Sequence, residues 1–184
     1  MKFNIIETEI PDVKIIEPEP FIDHRGFFMK IFNEKFFEEN IAQLKFVEED
    51  HSGSYHNTIR GLHYQINNPQ GKLITITSGE IFDVAVDLRK SSKTFGKWVG
   101  AILSEKNKRE IWIPPGFAHG FYAISAWSEI VYRTTEFYTP ENDRTLFWND
   151  PEIGIDWPIY DEFPPLLSNK DKNGKLLKDA DLFD

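Results

Sequence analysis

The chain has 184 residues, enough for one domain with its own core and short for two. Its 40% hydrophobic and 15% aromatic content, with 16 Phe, supplies the apolar mass to fold without cross-links and excludes a disordered chain. Thirty acidic against 21 basic residues leave a net charge of -9, a field that repels nucleic acid and anionic membrane surfaces, so that only a local convergence of Arg and Lys would hold an anionic small molecule. With no cysteine there is no disulfide, thiolate or zinc-thiolate chemistry, which points to the cytoplasm. The opening MKFNIIETEIPDV reaches Glu7 after a short apolar run, so no signal peptide is expected, and no later stretch approaches the length of a membrane span.

Short apolar and aromatic runs recur between turn signals along the chain: VKIIE (13–17), FFMKIF (27–32), TIRGLHYQ (58–65), KLITIT (72–77), EIFDVAVDL (80–88), KWVGAIL (97–103), REIWIP (109–114), HGFYAIS (119–125) and EIVYRTT (129–135). This spacing predicts an all-β sandwich or barrel. One short helix is expected over NEKFFEENI (33–41), with Asn33 as cap and Phe36, Phe37 and Ile41 as its apolar stripe. Ser78-Gly79 reads as a hairpin turn. After Pro140 the composition shifts to Pro, Trp, Asp and Lys, which predicts an irregular segment wrapped over the β core. With no repeat and no linker, residues 1–184 read as a single domain.

Polar residues interrupt these strands at particular places. In TIRGLHYQ, Arg60 and His63 would face opposite sides of a regular strand, and Gly61 is where a bulge could bring both to one cavity. Lys72 shares a face with Ile74 and Ile76, so it either snorkels outward from a strand end or faces an anion inside a pocket. In EIFDVAVDL, Asp83 in mid-strand could orient an imidazole or a cation, whereas Asp87 near the end could simply be exposed. IPPGFAHGF places His119 after a tight turn, as a hydrogen-bonded core residue or a site residue. Two imidazoles also suggest a metal, but the residue two beyond His63 is Gln65 and no Glu follows at a suitable spacing, so the ligand set is incomplete. Tyr132 is either an inward phenol or a packed core residue, and Tyr138 and Trp148 are either platforms for a flat ring or plain packing. By itself Lys170-Asp171 is a solvated charge run.

Taken together, RGLHYQ, QGKL, GEIFDVAVDLR, SKTFGKW, IPPGFAHGF, WNDP, IGIDWP and LSNKD, in order over about residues 21–171, resemble the dTDP-4-dehydrorhamnose 3,5-epimerase (RmlC-type) family. The resemblance implies a cupin-type double-stranded β-helix, a jelly-roll barrel, that is homodimeric, uses no metal or other cofactor and acts on a nucleotide-diphosphate sugar. By position it implies His63 as general base with Asp171 as its partner, and Tyr132 as general acid. Substrate-binding positions fall on Arg25, Arg60, Lys72, His119, Asp143 and Lys170, and the base-stacking aromatic falls on Tyr138. The reaction explains these residue types. Inverting a carbon beside a C4 ketone removes a proton from one face and returns one to the other, which needs two groups on opposite sides of the sugar. An imidazole of pKa near ~6.5 is a weak base for such a proton, and each unit of mismatch costs ~1.4 kcal/mol, so the enolate needs a counter-charge such as Lys72. Arg60 and Arg25 offer the donor fork that suits a diphosphate.

Two departures stand out. Where the family commonly reads Gln-Asp-Asn, this chain has Glu48, Glu49 and Asp50, and where it commonly has a glutamate, this chain has Lys30, which donates but cannot accept. These changes are expected either to alter recognition of base or sugar or to set Lys30 against a carboxylate of the Glu48–Asp50 run. Rival readings are an epimerase of one carbon only, a non-catalytic nucleotide-sugar-binding cupin and a metal-dependent cupin oxygenase.

Overall fold

The computed structural model describes residues 2–160 and 162–184. Among them, one sheet runs in the order β1 (Phe3–Glu7), β2 (Lys14–Pro18), β10 (Glu110–Ile113), β7 (Lys72–Ser78), β12 (Trp127–Thr134) and β5 (Glu48–Tyr55). The second runs β13 (Asp143–Thr145), β6 (Ile59–Gln65), β11 (Phe117–Ala123), β8 (Glu80–Asp87) and β9 (Trp98–Ser104). The strand ladders are antiparallel, isolated bridges such as Thr58 to Leu166 are parallel, and β3 (Phe21–Asp23) and β4 (Gly26–Phe28) pair with each other. Ile74, Ile76 and Ile130 of the first sheet pack against Ile81, Ala85, Phe117 and Phe121 of the second. This is the predicted double-sheeted barrel.

Period-two alternation explains the strand sequences. In β7, Ile74 and Ile76 point between the sheets, while Leu73 points outward and is covered in turn by Phe37 of α1 (Glu34–Asn40) together with Trp112. The strand therefore reads as nearly continuous apolar residues. As predicted, the Asn33 side chain caps α1 by accepting from Phe36 N at 3.0 Å. The segment after Pro140 covers the outer face of the second sheet, setting Leu146, Ile153, Trp157 and Leu177 against Leu62, Val84 and Val86.

Some expectations need correction. Ser78-Gly79 does not close a hairpin, because β7 and β8 lie in different sheets; Gly79 is a crossover point at φ +78°, where a Cβ would stand 2.2 Å from Trp127 O. FFMKIF is not one strand: β4 ends at Phe28, and Phe32 is drawn to an aromatic group with Phe37 and Phe46. Strands β1, β3, β5 and β13 were not predicted, and a second short helix, α2 (Asn169–Lys172), lies in the C-terminal segment.

The expected bulge is present in β6. His119 pairs with His63 and Phe121 with Arg60, so three steps on β6 match two on β11. Gly61 occupies the extra position at φ +125°, and a Cβ there would lie 2.5 Å from Gly120 Cα and 2.8 Å from His119 O. Any side chain at residue 61 would both strain the backbone and push β6 from β11. Gly61→Ala is therefore expected to destabilise the fold by about 2 kcal/mol or more, read as a lower denaturation midpoint in urea.

Candidate active site

Between the sheets lie two adjoining cavities of about 240 and 250 Å³ that share His63, Lys72 and Tyr132. The first adds Glu48, Asp50, Tyr138, Asp143 and Lys170; the second adds Arg60, His119, Ser168 and Asp171. Because the bulge turns β6, Arg60 and His63 do reach the same cavity, as the reading of Gly61 requires.

His63 Nε2 donates to Asp171 Oδ1 at 2.6 Å, leaving Nδ1 as the ring nitrogen free to take a proton. Asp171 is 2% exposed and is held from several sides: Ser168 Oγ donates to its Oδ2 at 2.7 Å and Gly61 N to its Oδ1 at 3.4 Å. Burial would raise the Asp171 pKa, but the hydrogen bonds from His63 and Ser168 outweigh it and hold the carboxyl below its ordinary range. Burial pushes the His63 pKa down, and Lys170 and Lys72 add to this against the pull of Asp171. The imidazole is thus neutral at neutral pH.

The opposite wall is made by β12 and β5. Tyr132 stands on it across the cavity from His63, with its pKa raised by burial and by the negative charge of Asp50, so the phenol keeps its proton. Lys72, at the start of β7, faces the cavity rather than solvent: burial lowers its pKa to about 8, against the opposing pull of Asp143. A second imidazole, His119, donates from Nε2 to Asp83 Oδ2 at 2.9 Å, and burial raises the Asp83 pKa. Arg60 is pinned to β5 through Nε to Ser54 Oγ and Nη2 to Gly53 O, both 2.9 Å, leaving the Nη1 side of its fork for a ligand. Lys170 and the Tyr138 hydroxyl both bond Asp143 Oδ2. Such a cavity can take a proton on one wall and supply one from the other, with the Lys72 ammonium lining the same space.

Three predicted site residues are not brought in. Arg25 lies on the β3–β4 hairpin with its side chain 76% exposed and paired to Asp23. Lys30 is exposed and makes no ion pair among the described residues; of the carboxylates proposed for it, Glu48 and Glu49 are engaged elsewhere and Asp50 faces the cavity. Glu49 points out of the barrel, because β5 alternation sends Glu48 and Asp50 inward and Glu49 outward to Arg133 at 2.7 Å. Asp87 is not exposed but fully buried, fixed by Arg89, Ser92 and Thr94, and Trp148 packs under the second sheet. Among the described residues no group of three or more His, Asp or Glu could hold a metal ion. Ser168 was missed, although S-x-x-D in LSNKD is a helix-capping signal that would have found it; its Oγ caps α2 by accepting from Asp171 N at 3.1 Å. Gln65 was weighed only as an absent ligand, yet its amide bonds Phe137 O and Thr139 N on either side of Tyr138 and so fixes that aromatic.

The depressed His63 pKa has a signed consequence. The unfolded chain takes up this proton first, so the stability contribution is complete above about 6.5 and is lost as pH falls through the folded value. NMR titration of the ring is expected to give a midpoint below the ordinary ~6.5, and Asp171→Asn should lower it further by removing the charge that opposes burial. A midpoint that rises in Asp171→Asn would contradict this electrostatic account.

Comparison with known proteins fits this geometry. The family model for dTDP-4-dehydrorhamnose 3,5-epimerase matches residues 7–179. A protein of that name from Pseudomonas aeruginosa is 54% identical over 175 residues, covering 95% of this chain and 96% of its own. Another from Neisseria gonorrhoeae is 52% identical over 97% of this chain, which spans only 54% of that longer protein. The crystal structure of the Legionella pneumophila Philadelphia 1 dTDP-6-deoxy-D-glucose-3,5-epimerase RmlC, in complex with dTDP-4-keto-L-rhamnose, superposes with a TM-score of 0.93 at 48% identity, over 96% of this chain and 94% of that one. A family model matched over nearly the whole sequence, and relatives this similar on the same two-sheet barrel, establish that the chain belongs to the dTDP-4-dehydrorhamnose 3,5-epimerase family.

Proposed function

We propose that the chain, as one catalytic domain over residues 1–184, converts dTDP-4-dehydro-6-deoxy-D-glucose to dTDP-4-dehydro-L-rhamnose by inverting C3 and C5. The observation that carries this reading is the placement of His63 and Tyr132 on opposing walls of one cavity, in a member of this family. Neutral His63 removes the proton beside the C4 ketone; the C–H electron pair moves into the ring bond and charge collects on the C4 oxygen. Lys72, and His119 held by Asp83, are the groups that meet this charge. Tyr132 returns a proton from the opposite face; once protonated His63 has released its proton to solvent and the Tyr132 phenolate has taken one up, the same pair acts again at the second carbon. Arg60 and Lys170 bind the diphosphate, Tyr138 stacks on the base, and Glu48, Asp50 and Asp143 accept from sugar or base hydroxyl and imide groups. A nucleotide-sugar substrate and a chain without cysteine fit a cytoplasmic enzyme.

The test is NMR of the 4-keto sugar nucleotide in D2O. Deuterium is expected at both C3 and C5; exchange at one carbon only would identify a mono-epimerase, and none would overturn the enzyme. His63→Ala should lower exchange by at least about 100-fold while nucleotide binding persists. The kcat/KM profile should fall on the acid side as His63 protonates, below ~6.5, and on the alkaline side near pH 8 as Lys72 loses its charge.

Homodimerisation is part of the same proposal. The β3–β4 hairpin exposes Phe21, Ile22, Phe27 and Phe28, at 57% to 72%, and carries Arg25 outside its own chain's cavity. An interface over this hairpin would bury the apolar side chains and could deliver Arg25 to a second copy. Sedimentation equilibrium is expected to give twice the chain mass, reduced to the single-chain mass by Phe27→Asp with Phe28→Asp; a monomeric wild type would contradict the proposal.

A further inference from the structure

We infer that Asp50 is a positioning residue of the proposed epimerisation: an uncommitted carboxylate, set opposite Tyr132 on the neighbouring strand, whose charge keeps the phenolic proton on Tyr132 and the ammonium proton on Lys72. The inference rests on the epimerase reading and assigns this position a part in the chemistry beyond contact with substrate.

The placement follows from register. Tyr132 of β12 pairs directly with Asp50 of β5 and, on its other side, with Ile74 of β7, two residues beyond Lys72. Side chains directly opposite on one face have Cβ atoms about 4.5–5.5 Å apart, so the carboxylate and the phenol stand beside each other on one wall. All three groups line the first cavity. Glu48, the other acid on this wall, is engaged: its Oε2 accepts from Tyr138 N at 3.0 Å and so braces the aromatic loop. Among the described residues Asp50 has no such engagement, and burial, Glu48 and Lys72 act on it. A bare carboxylate in a cavity for an anionic substrate repels the ligand, and that penalty is offset if the charge acts on neighbours in the reaction.

The surroundings decide the sign. Tyr132 is faced by Asp50 and Glu48 from β5, which disfavour the phenolate, and by Arg60 from β6, which favours it. Lys72 is faced by Asp143 from β13, Asp83 from β8 and Asp50 from β5, which hold its proton, and by Lys170 of α2 and the His63 ring, which do not. Removing the Asp50 charge therefore makes both Tyr132 and Lys72 lose their protons at lower pH. The alkaline limb must move the same way whichever of the two it reports.

Deuterium incorporation at C3 and C5 of dTDP-4-dehydro-6-deoxy-D-glucose is to be measured as kcat/KM against pH for the wild type, Asp50→Asn and Asp50→Glu. In Asp50→Asn the alkaline limb is expected to shift down by about half to one pH unit. Above the limb this amounts to a rate about threefold to tenfold below the wild type, each normalised to its own plateau. Asp50→Glu, which restores the charge, should bring the limb back. A rate in Asp50→Asn that falls by one factor at every pH, with the limb unmoved, is the signature of a merely structural residue and overturns the inference, as does a shifted limb that Asp50→Glu fails to restore. Wild-type protein that exchanges neither carbon overturns the epimerase reading, and this inference with it; wild-type exchange with an unmoved limb in Asp50→Asn overturns the role of Asp50 alone.

Discussion

The close contact between Gly61 and Gly120 is the constraint on which the rest of the site depends. Two backbones approach there without side chains, which lets β6 carry one residue more than β11 across the same span. The extra residue undoes the strand's alternation, so Arg60 and His63 face one lumen instead of opposite sides of a sheet. It also aims the Gly61 N–H at Asp171, which ties the bulge to α2 and, through Ser168, to the cap of that helix. One irregularity thus orients an imidazole, presents its carboxylate partner and fixes a guanidinium against Ser54 and Gly53.

Topology supplies what the bulge cannot, which is a second face. His63 belongs to the five-stranded sheet and Tyr132 to the six-stranded one, so the separation of the two groups is inherited from the sandwich and needs no loop to maintain it. Groups on rigid strands hold their positions better than groups on loops, and inversion at carbon demands fixed, opposed positions. The substrate-facing periphery is built differently: Tyr138 and Lys170 come from a loop and a four-residue helix, secured by Gln65 and Asp143. In the proposed reaction, the strands serve the proton transfers and the braced connections serve recognition.

The sequence made some of this legible and hid the rest for physical reasons. Strands whose two faces are both covered, such as β7 and β8, announce themselves as apolar runs, and Asn33 announces the helix it caps. Strand β5 was invisible because its inward residues Glu48, Asp50 and Ser52 line a polar cavity and its outward ones, Glu49 on Arg133, His51 on Glu129 and Tyr55 on Trp127, are mixed in kind, so no hydrophobic period exists. The same blindness grouped Glu48, Glu49 and Asp50 as one acidic run, whereas the strand sends the middle one away from the other two. Ser78-Gly79 misled because a glycine at positive φ serves a crossover as well as a hairpin, and only tertiary pairing tells them apart. His63 and Asp171, far apart in sequence, were joined by resemblance alone; no local pattern connects β6 to α2 until the C-terminal segment is seen to wrap the sheet.

Burial then acts on five ionisable groups of the lumen in one direction, toward the neutral form: it lowers His63 and Lys72 and raises Tyr132, Asp50 and Asp83. Whether a carboxylate resists this depends on the number of donors around it. Asp87 has Arg89, Ser92 and Thr94 around it and is held down at about 2, so it stays charged and simply fastens a turn. Asp83, with His119 on one oxygen and, among the described residues, no hydrogen-bond partner on the other, is buried and under-satisfied, whereas Asp50, which makes no hydrogen bond among the described residues, is only partly buried. A buried group left in the state of Asp83 is destabilising in a folded protein. The fields of both reach Lys72 and, from Asp50, Tyr132, and they favour the protonated ammonium and the protonated phenol, the forms that the proposed carbon inversion requires.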